Sequence, residues 1–121
     1  MSKKILVIDD EADVRTYLSR LLQKYGYETL TAEDGFLGLE VARAEVPDLV
    51  ILDLMMPRQS GTDFYRKLSS DKALAEIPII VVSGLAGRHL AVKKPEAVFD
   101  KPIVPAEFLA AVRKALGEEA E

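Results

Sequence analysis

The sequence predicts an α/β fold in which a doubly wound, five-stranded parallel sheet carries helices on both faces. Two observations support this: short runs that are apolar at every position, and segments with helical periodicity that alternate with them. Fully apolar runs are typical of strands covered on both faces, and the alternation is typical of right-handed strand–helix–strand crossovers. With 121 residues, we expect one domain over residues 1–121.

Three short apolar runs predict buried strands. They are Ile5–Ile8, Leu49–Leu52 and Ile79–Val82, and each is partly β-branched. Glu28–Ala32 and Ala97–Phe99 are weaker candidates, which bring the expected number of strands to five.

Four segments carry apolar residues at helical spacing, which indicates helices with one buried stripe each. The predicted stripes are Val14, Leu18, Leu21, Leu22 and Tyr25; Leu37, Val41 and Ala44; Phe64 and Leu68, with the polar Ser69 as a weaker candidate; and Phe108, Leu109, Val112 and Leu116. Gly26 and Pro47 follow the first two segments as stop signals, and the last lies between Pro105 and Gly117. The stretch from Gly84 to Pro95 keeps no clean period.

Composition excludes several classes of function. The net charge is -4 with both signs interspersed, so no basic surface for nucleic acid is expected. No apolar stretch approaches the roughly 20 residues that a membrane span needs, and the short run after Lys4 does not resemble a signal peptide. The chain has no cysteine, which excludes disulfides and thiolate metal sites. We therefore expect a cytoplasmic protein.

Polar residues follow the predicted strands where each strand ends. Asp9 and Asp10 follow the first, Asp53 the third, Ser83 the fourth and Lys101 the fifth. Ligands of doubly wound folds gather at the carboxyl ends of the strands, so these groups should converge on one edge of the sheet. Each residue alone is as readily a cap, a loop aspartate or a solvated lysine; their joint placement favours a functional site.

The residue types at this edge indicate phosphoryl chemistry. Carboxylates without histidine or cysteine favour Mg²⁺ over zinc, and two of them can hold the ion. A third carboxylate, on Asp53, can attack phosphorus and form an acyl phosphate. The charge that develops on the phosphoryl oxygens would be neutralised by Mg²⁺ and Lys101, and Ser83 can donate a hydrogen bond.

At these positions the sequence resembles the receiver domains of two-component response regulators, in particular single-domain chemotaxis regulators. The motifs that carry the resemblance are Val7–Glu11, Asp34–Gly35, Pro47–Pro57, Gly61, Ser83 and Phe99–Pro102. The resemblance extends from Ile5 to Leu116 and implies a flavodoxin-like sheet with the strand order 2-1-3-4-5.

The resemblance also implies roles and partners. The matched positions are Asp53 as the phosphoacceptor and a metal ligand, Asp9 and Asp10 as the acidic pair that holds Mg²⁺, the backbone carbonyl of Met55 as a further metal ligand, Ser83 as the switch hydroxyl, and Lys101 as the lysine that bonds to the phosphoryl group. The implied donor is a phosphohistidine on a histidine kinase or phosphotransfer protein, and the implied recipient of the signal is a downstream effector protein. Such a domain is a signalling module rather than an enzyme, and is a monomer or a phosphorylation-dependent dimer.

The sequence departs from the family pattern in two places. Val98 stands three residues before Lys101, where the family usually has an aromatic residue, so coupling by aromatic rotation is in doubt. The stretch between Ser83 and Lys101 is also shorter than is typical of the family. Part of the face through which these domains commonly contact their partners lies in this stretch, so partner binding through it does not carry over to this chain. Met55 and Leu85 flank the expected path of attacking water and cannot orient it by hydrogen bonding, so we expect slow self-dephosphorylation.

Two alternative functions belong to other classes. A degenerate receiver that acts only as a protein-interaction module is compatible with Val98, but the complete acidic set and Lys101 argue against it. A Mg²⁺-dependent phosphohydrolase would also use an aspartate and a lysine. It usually needs a second acid or base two residues after the nucleophile, where this chain has Met55.

Overall fold

One parallel sheet organises the chain. The computed structural model describes residues 3–54, 56, 60–83 and 95–118, with the backbone alone for Ser83 and Asp100. The strands are β1 (Lys4–Ile8), β2 (Glu28–Ala32), β3 (Leu49–Leu52), β4 (Ile79–Ser83) and β5 (Ala97–Asp100). They pair in parallel in the order β2-β1-β3-β4-β5, which confirms the predicted sheet and its strand order.

Helices cover both faces of this sheet. Within the described ranges they are α1 (Ala12–Lys24), α2 (Gly35–Glu45), α3 (Ser60–Ser70) and α4 (Pro105–Ala115). α2 and α3 pack on one face, and α1 and α4 pack on the other. None of these four helices is long and apolar enough to cross a membrane.

The apolar strands contribute to two separate cores, because successive side chains of a strand point to opposite faces. In β1, Leu6 and Ile8 enter the core under α2 and α3, whereas Ile5 and Val7 enter the core under α1 and α4. All four are at most 1% exposed. This double burial explains why the central strands are apolar at every position.

The α1 stripe was predicted one residue too long. Leu18 and Leu22 are buried, as expected, but Tyr25 is 51% exposed. α1 ends at Lys24 and Tyr25 is its C-cap, so Tyr25 leaves the helical period and turns to solvent.

The predicted buried face of α2 was right only at Val41, which packs against the core, and wrong at Leu37 and Ala44. Leu37 is 41% exposed, while the buried positions are Gly35, Gly38, Leu39 and Ala42. A Cβ atom at Gly38 would lie 2.5 Å from the Cδ1 atom of Ile8, so this glycine allows α2 to approach the sheet closely. A search for apolar stripes does not detect a face built from glycine. Ala44 of α2 and Ser69 of α3, also predicted as stripe positions, are exposed.

Candidate functional site

The backbone of the central strands fixes the positions of two acidic residues. Ile8 and Leu52 are paired in register, so Asp9 and Asp53 leave β1 and β3 at the same level. The Asp53 N–H donates to the carbonyl of Ile8 at 3.0 Å, and the Asp9 N–H donates to the carbonyl of Ala32 at 3.2 Å. Both residues therefore continue the hydrogen bonding of the sheet for one residue past its end.

Three carboxylates meet at this edge, as the sequence predicted. Asp9, Asp10 and Asp53 each offer a carboxylate oxygen, and these oxygens all lie within 4.8 Å of one another. Asp9 is 1% exposed and Asp53 is 3% exposed, whereas Asp10 is exposed. The cluster is thus open to solvent on the side of Asp10.

The first turn of α3 packs against the backbone of Asp53. Gly61 is buried in the first turn of this helix. A Cβ atom at Gly61 would lie 2.6 Å from the carbonyl oxygen of Asp53 and 3.0 Å from the Cα atom of Leu54. Only a residue without a side chain lets α3 approach the strand end this closely.

Local hydrogen bonds hold Asp9 at the beginning of α1. Its Oδ1 atom accepts from the backbone N–H of Glu11 at 2.9 Å, and Arg15 Nη1 donates to its backbone carbonyl at 2.8 Å. Asp9 therefore contributes to the turn into α1 while its Oδ2 atom faces Lys101.

Lys101 supplies the positive charge at the centre of the site. It follows β5, which pairs with β4 so that Ser83 and Asp100 are aligned in register. Its Nζ atom lies 2.9 Å from Asp9 Oδ2 and 3.3 Å from Asp53 Oδ2. One ammonium group thus bridges two buried carboxylates.

Burial and charge act in opposite directions on these groups. Burial raises the pKa of Asp9, and the charge of Asp53 raises it further, although the Glu11 N–H and Lys101 favour the carboxylate. Burial alone would lower the pKa of Lys101, but its hydrogen bond to Asp9 and the charges of Asp53 and Asp9 raise it above its ordinary value. Lys101 is therefore a permanent cation in this site.

A third carboxylate reaches the same lysine, and the sequence interpretation gave it no role. Glu11 Oε1 lies 3.2 Å from Lys101 Nζ, at nearly the distance of Asp53. Glu11 directly follows the acidic pair in the sequence, but nothing local indicates that it meets a lysine 90 residues away.

Three sequence predictions concern atoms outside the described residues. These are the backbone carbonyl of Met55, the hydroxyl of Ser83 and the side chain of Leu85. Within β5, Val98 and Phe99 face opposite cores, as successive residues of a strand do. Phe99 packs edge-on against Phe108 of α4, with ring centroids 5.9 Å apart.

The composition of the cluster suits a hard cation. All three clustered acids offer oxygen atoms, which magnesium and calcium prefer. The three acids carry three negative charges against the single positive charge of Lys101. The excess negative charge and the exposed side at Asp10 fit a hydrated divalent ion.

Comparisons with known proteins agree with this geometry. The family described as "Response regulator receiver domain" matches residues 5–113. Protein Rrf1 of Nitratidesulfovibrio vulgaris (strain Hildenborough) is 33% identical over 121 residues, which are 100% of this chain and 88% of Rrf1. The response regulator PleD of Caulobacter vibrioides is 38% identical over 118 residues, 93% of this chain but 26% of PleD.

A solved structure shows the same architecture. The chemotaxis protein CheY4 of Vibrio cholerae superposes with a TM-score of 0.86 at 27% identity, covering 96% of this chain and 100% of that one. The fold and the acidic strand-end site thus define an α/β signalling module. The chain belongs to the response regulator receiver domain family of two-component systems, and its acidic cluster is compatible with a phosphoacceptor site.

Proposed function

We propose that this receiver domain, residues 1–121, takes a phosphoryl group from a phosphohistidine onto Asp53. The observation that supports this most is the contact of Lys101 Nζ with Asp53 Oδ2 at 3.3 Å, inside a cluster of three carboxylates. A nucleophile, a cation for the phosphoryl oxygens and ligands for a metal therefore lie together at one strand edge.

In the proposed step a carboxylate oxygen of Asp53 attacks the phosphorus atom. The new O–P bond forms as the P–N bond to the imidazole breaks, and the electron pair of that bond stays on the nitrogen. The ring leaves as a neutral imidazole, because its other nitrogen is already protonated or the leaving nitrogen takes a proton from solvent. Lys101 stabilises the charge on the transferring phosphoryl oxygens, because its ammonium already lies at the carboxylate that attacks. The transfer is self-catalysed in this sense: the chain positions its own nucleophile and cation.

The proposal includes Mg²⁺ as the cofactor. Asp9, Asp10 and Asp53 would hold it, together with the backbone carbonyl of Met55 that the family resemblance implies. When bound, Mg²⁺ neutralises phosphoryl oxygens and the excess negative charge of the cluster. Ser83 is the proposed switch hydroxyl that donates to a phosphoryl oxygen.

Partner proteins complete the proposal. The donor is a histidine kinase or a phosphotransfer protein in the cytoplasm, and a downstream effector receives the signal, with the domain a monomer or a phosphorylation-dependent dimer. A groove of about 450 Å³ opens beside Lys101 and is lined mainly by apolar side chains of α1 and the residues after β5. Tyr17 lines this groove and is 48% exposed, so the groove offers the donor an apolar contact next to the site.

Mass spectrometry of the intact protein tests the phosphoacceptor. After incubation with acetyl phosphate and Mg²⁺ we expect one phosphoryl adduct, which disappears in Asp53→Asn and when the metal is chelated. Asp48→Asn is the matched control, because Asp48 lies at the opposite end of β3, where its Oδ2 atom accepts from the backbone N–H of Lys4. An adduct of equal yield on Asp53→Asn would contradict the assignment.

The phosphoryl group should be lost slowly. Met55 and Leu85, the side chains expected to flank the attacking water, cannot orient it by hydrogen bonding. We expect the adduct to persist for minutes or longer after the phosphodonor is removed, followed by mass spectrometry. Loss within seconds would show that another group orients the water.

A further inference from the structure

We propose that Glu11 competes with the phosphoryl group for Lys101 and thereby slows phosphorylation of Asp53. This inference rests on the proposed function. Its starting point is the contact of Glu11 Oε1 with Lys101 Nζ at 3.2 Å, alongside 2.9 Å for Asp9 and 3.3 Å for Asp53. Three carboxylates thus share one ammonium group.

Glu11 differs from the other two partners of Lys101 in exposure. Its side chain is 62% exposed, against 2% for Asp9 and 3% for Asp53. Glu11 is the N-cap residue of α1, yet its side chain makes no capping hydrogen bond to that helix. Its backbone N–H, which binds Asp9, remains after any change of its side chain. The Glu11 carboxylate is therefore not required to build α1, and its exposure leaves room for it to hold or to release the lysine.

Phosphorylation changes what Lys101 must bind. A phosphoryl group on Asp53 presents oxygens that need the ammonium, and an ammonium has three N–H donors. Every donor that Glu11 retains is lost to the phosphoryl group. The charge of Glu11 also repels an incoming dianionic phosphodonor, so both effects act in the same direction.

The size of the effect follows from the exposure of Glu11. Because water screens an exposed ion pair, we expect Glu11→Gln to raise the phosphorylation rate by roughly two- to fivefold. The gain should shrink at high salt, since ions screen the same interaction. It should also be smaller with phosphoramidate, whose negative charge is lower than that of acetyl phosphate.

Rates at saturating Mg²⁺ provide the first test, with Glu33→Gln as the matched control. Glu33 is an exposed glutamate directly after β2, at the same edge of the sheet, and carries the same charge and substitution. The proposal predicts faster phosphorylation of Glu11→Gln by acetyl phosphate and a rate near wild type for Glu33→Gln. A Glu11→Gln rate at or below that of wild type, or an equal gain in Glu33→Gln, would overturn it.

NMR of the lysine side chain provides a readout without phosphodonor or metal. The ¹⁵Nζ resonance of Lys101 should shift in Glu11→Gln and stay in place in Glu33→Gln, because of these two glutamates it is Glu11 that contacts the ammonium. An unshifted resonance would overturn the proposed competition. Absence of any adduct on the wild-type protein would instead count against the proposed function, so the two failures are distinguishable.

Discussion

The two halves of the site are built differently. Asp9 and Asp53 follow the central strands β1 and β3, are almost fully buried, and are held by backbone hydrogen bonds to the sheet. Lys101 follows β5, at the edge of the sheet, is 22% exposed, and reaches them through ion pairs of its side chain. The backbone thus fixes Asp53, the proposed nucleophile, whereas the ammonium of Lys101 is held by ion pairs and can be redirected.

This difference suits a domain that must change state. In the proposed transfer, rigid placement of Asp53 would favour attack on phosphorus, because most of the catalysis of phosphoryl transfer is positioning. A lysine shared among Asp9, Glu11 and Asp53 can reorganise once the charges around it change. The predictions below separate the two halves, beginning with the largest expected effect.

Removal of the Lys101 ammonium should abolish most of the phosphoryl transfer but leave the carboxylates of Asp9, Asp10 and Asp53 in place. We expect Lys101→Ala to slow phosphorylation by acetyl phosphate by about a hundredfold, the usual cost of losing a donor to developing charge. Mg²⁺ affinity, measured by calorimetry, should stay the same or rise because a neighbouring positive charge is gone.

Lys4→Ala is the matched control for that variant, since Lys4 pairs with Glu45 at the opposite end of the sheet at 3.1 Å. Circular dichroism verifies that both variants fold. A Lys101→Ala protein that is phosphorylated at the rate of wild type would remove Lys101 from the chemistry.

A substitution that displaces the end of β3, where Asp53 lies, should lower the stability of the fold. Gly61→Ala places a methyl group 2.6 Å from the Asp53 carbonyl oxygen, so the strand end or α3 must move. Alanine normally stabilises a helix by about 1 kcal/mol relative to glycine, but overpacking against backbone costs about 1–3 kcal/mol. We expect a net loss in the free energy of unfolding by urea, with slower phosphorylation.

Ser69→Ala controls for helix propensity, because Ser69 is exposed on the same helix. It should keep the stability and the phosphorylation rate close to those of wild type. A Gly61→Ala protein more stable than wild type would show that the close approach of α3 does not constrain Asp53.

The smallest effect concerns Tyr27, which directly precedes β2 at the amino end of the parallel strands, away from the carboxylate cluster. The Tyr27 hydroxyl donates to Glu118 Oε1 at 2.9 Å, and burial together with this hydrogen bond and the Glu118 charge raises the pKa of Tyr27 from 10.0 to about 12. The unfolded chain therefore loses this proton first, and the stability that Tyr27 contributes below pH 10.0 falls as the pH rises to about 12.

Urea unfolding at several alkaline pH values measures this contribution. Tyr27→Phe lacks the ionisable group, so its stability should fall less steeply over that interval than that of wild type. The phosphorylation rate of this variant at neutral pH should equal that of wild type, because the hydrogen bond lies far from the site. Identical pH profiles for the two proteins would contradict the assigned shift.

The sheet was predictable because its burial leaves a direct trace in the sequence. β1, β3 and β4 are covered on both faces, and residues such as Ile5 and Leu6 are apolar although they enter different cores. The face of α2 was not predictable from apolar spacing, since close packing there requires Gly35 and Gly38 rather than large side chains. Leu37 is apolar but exposed, so counting it as a core position assigned the wrong side of α2 to the buried face.

The clustering of Asp9, Asp10, Asp53 and Lys101 was predictable from topology alone. Parallel strands end at one edge, so residues directly after them are brought together whatever their separation in sequence. The contact between Glu11 and Lys101 was not predictable, because it depends on the reach of two flexible side chains rather than on the backbone.

The location of the acyl phosphate tests the central claim most directly. Borohydride reduction converts a phosphorylated aspartate into homoserine, which peptide mass spectrometry locates in the chain. After treatment with acetyl phosphate and Mg²⁺, we predict homoserine at position 53 and unmodified aspartate at Asp9 and Asp10. Homoserine at either of those positions, or at none of the three while an adduct is present, would contradict the account.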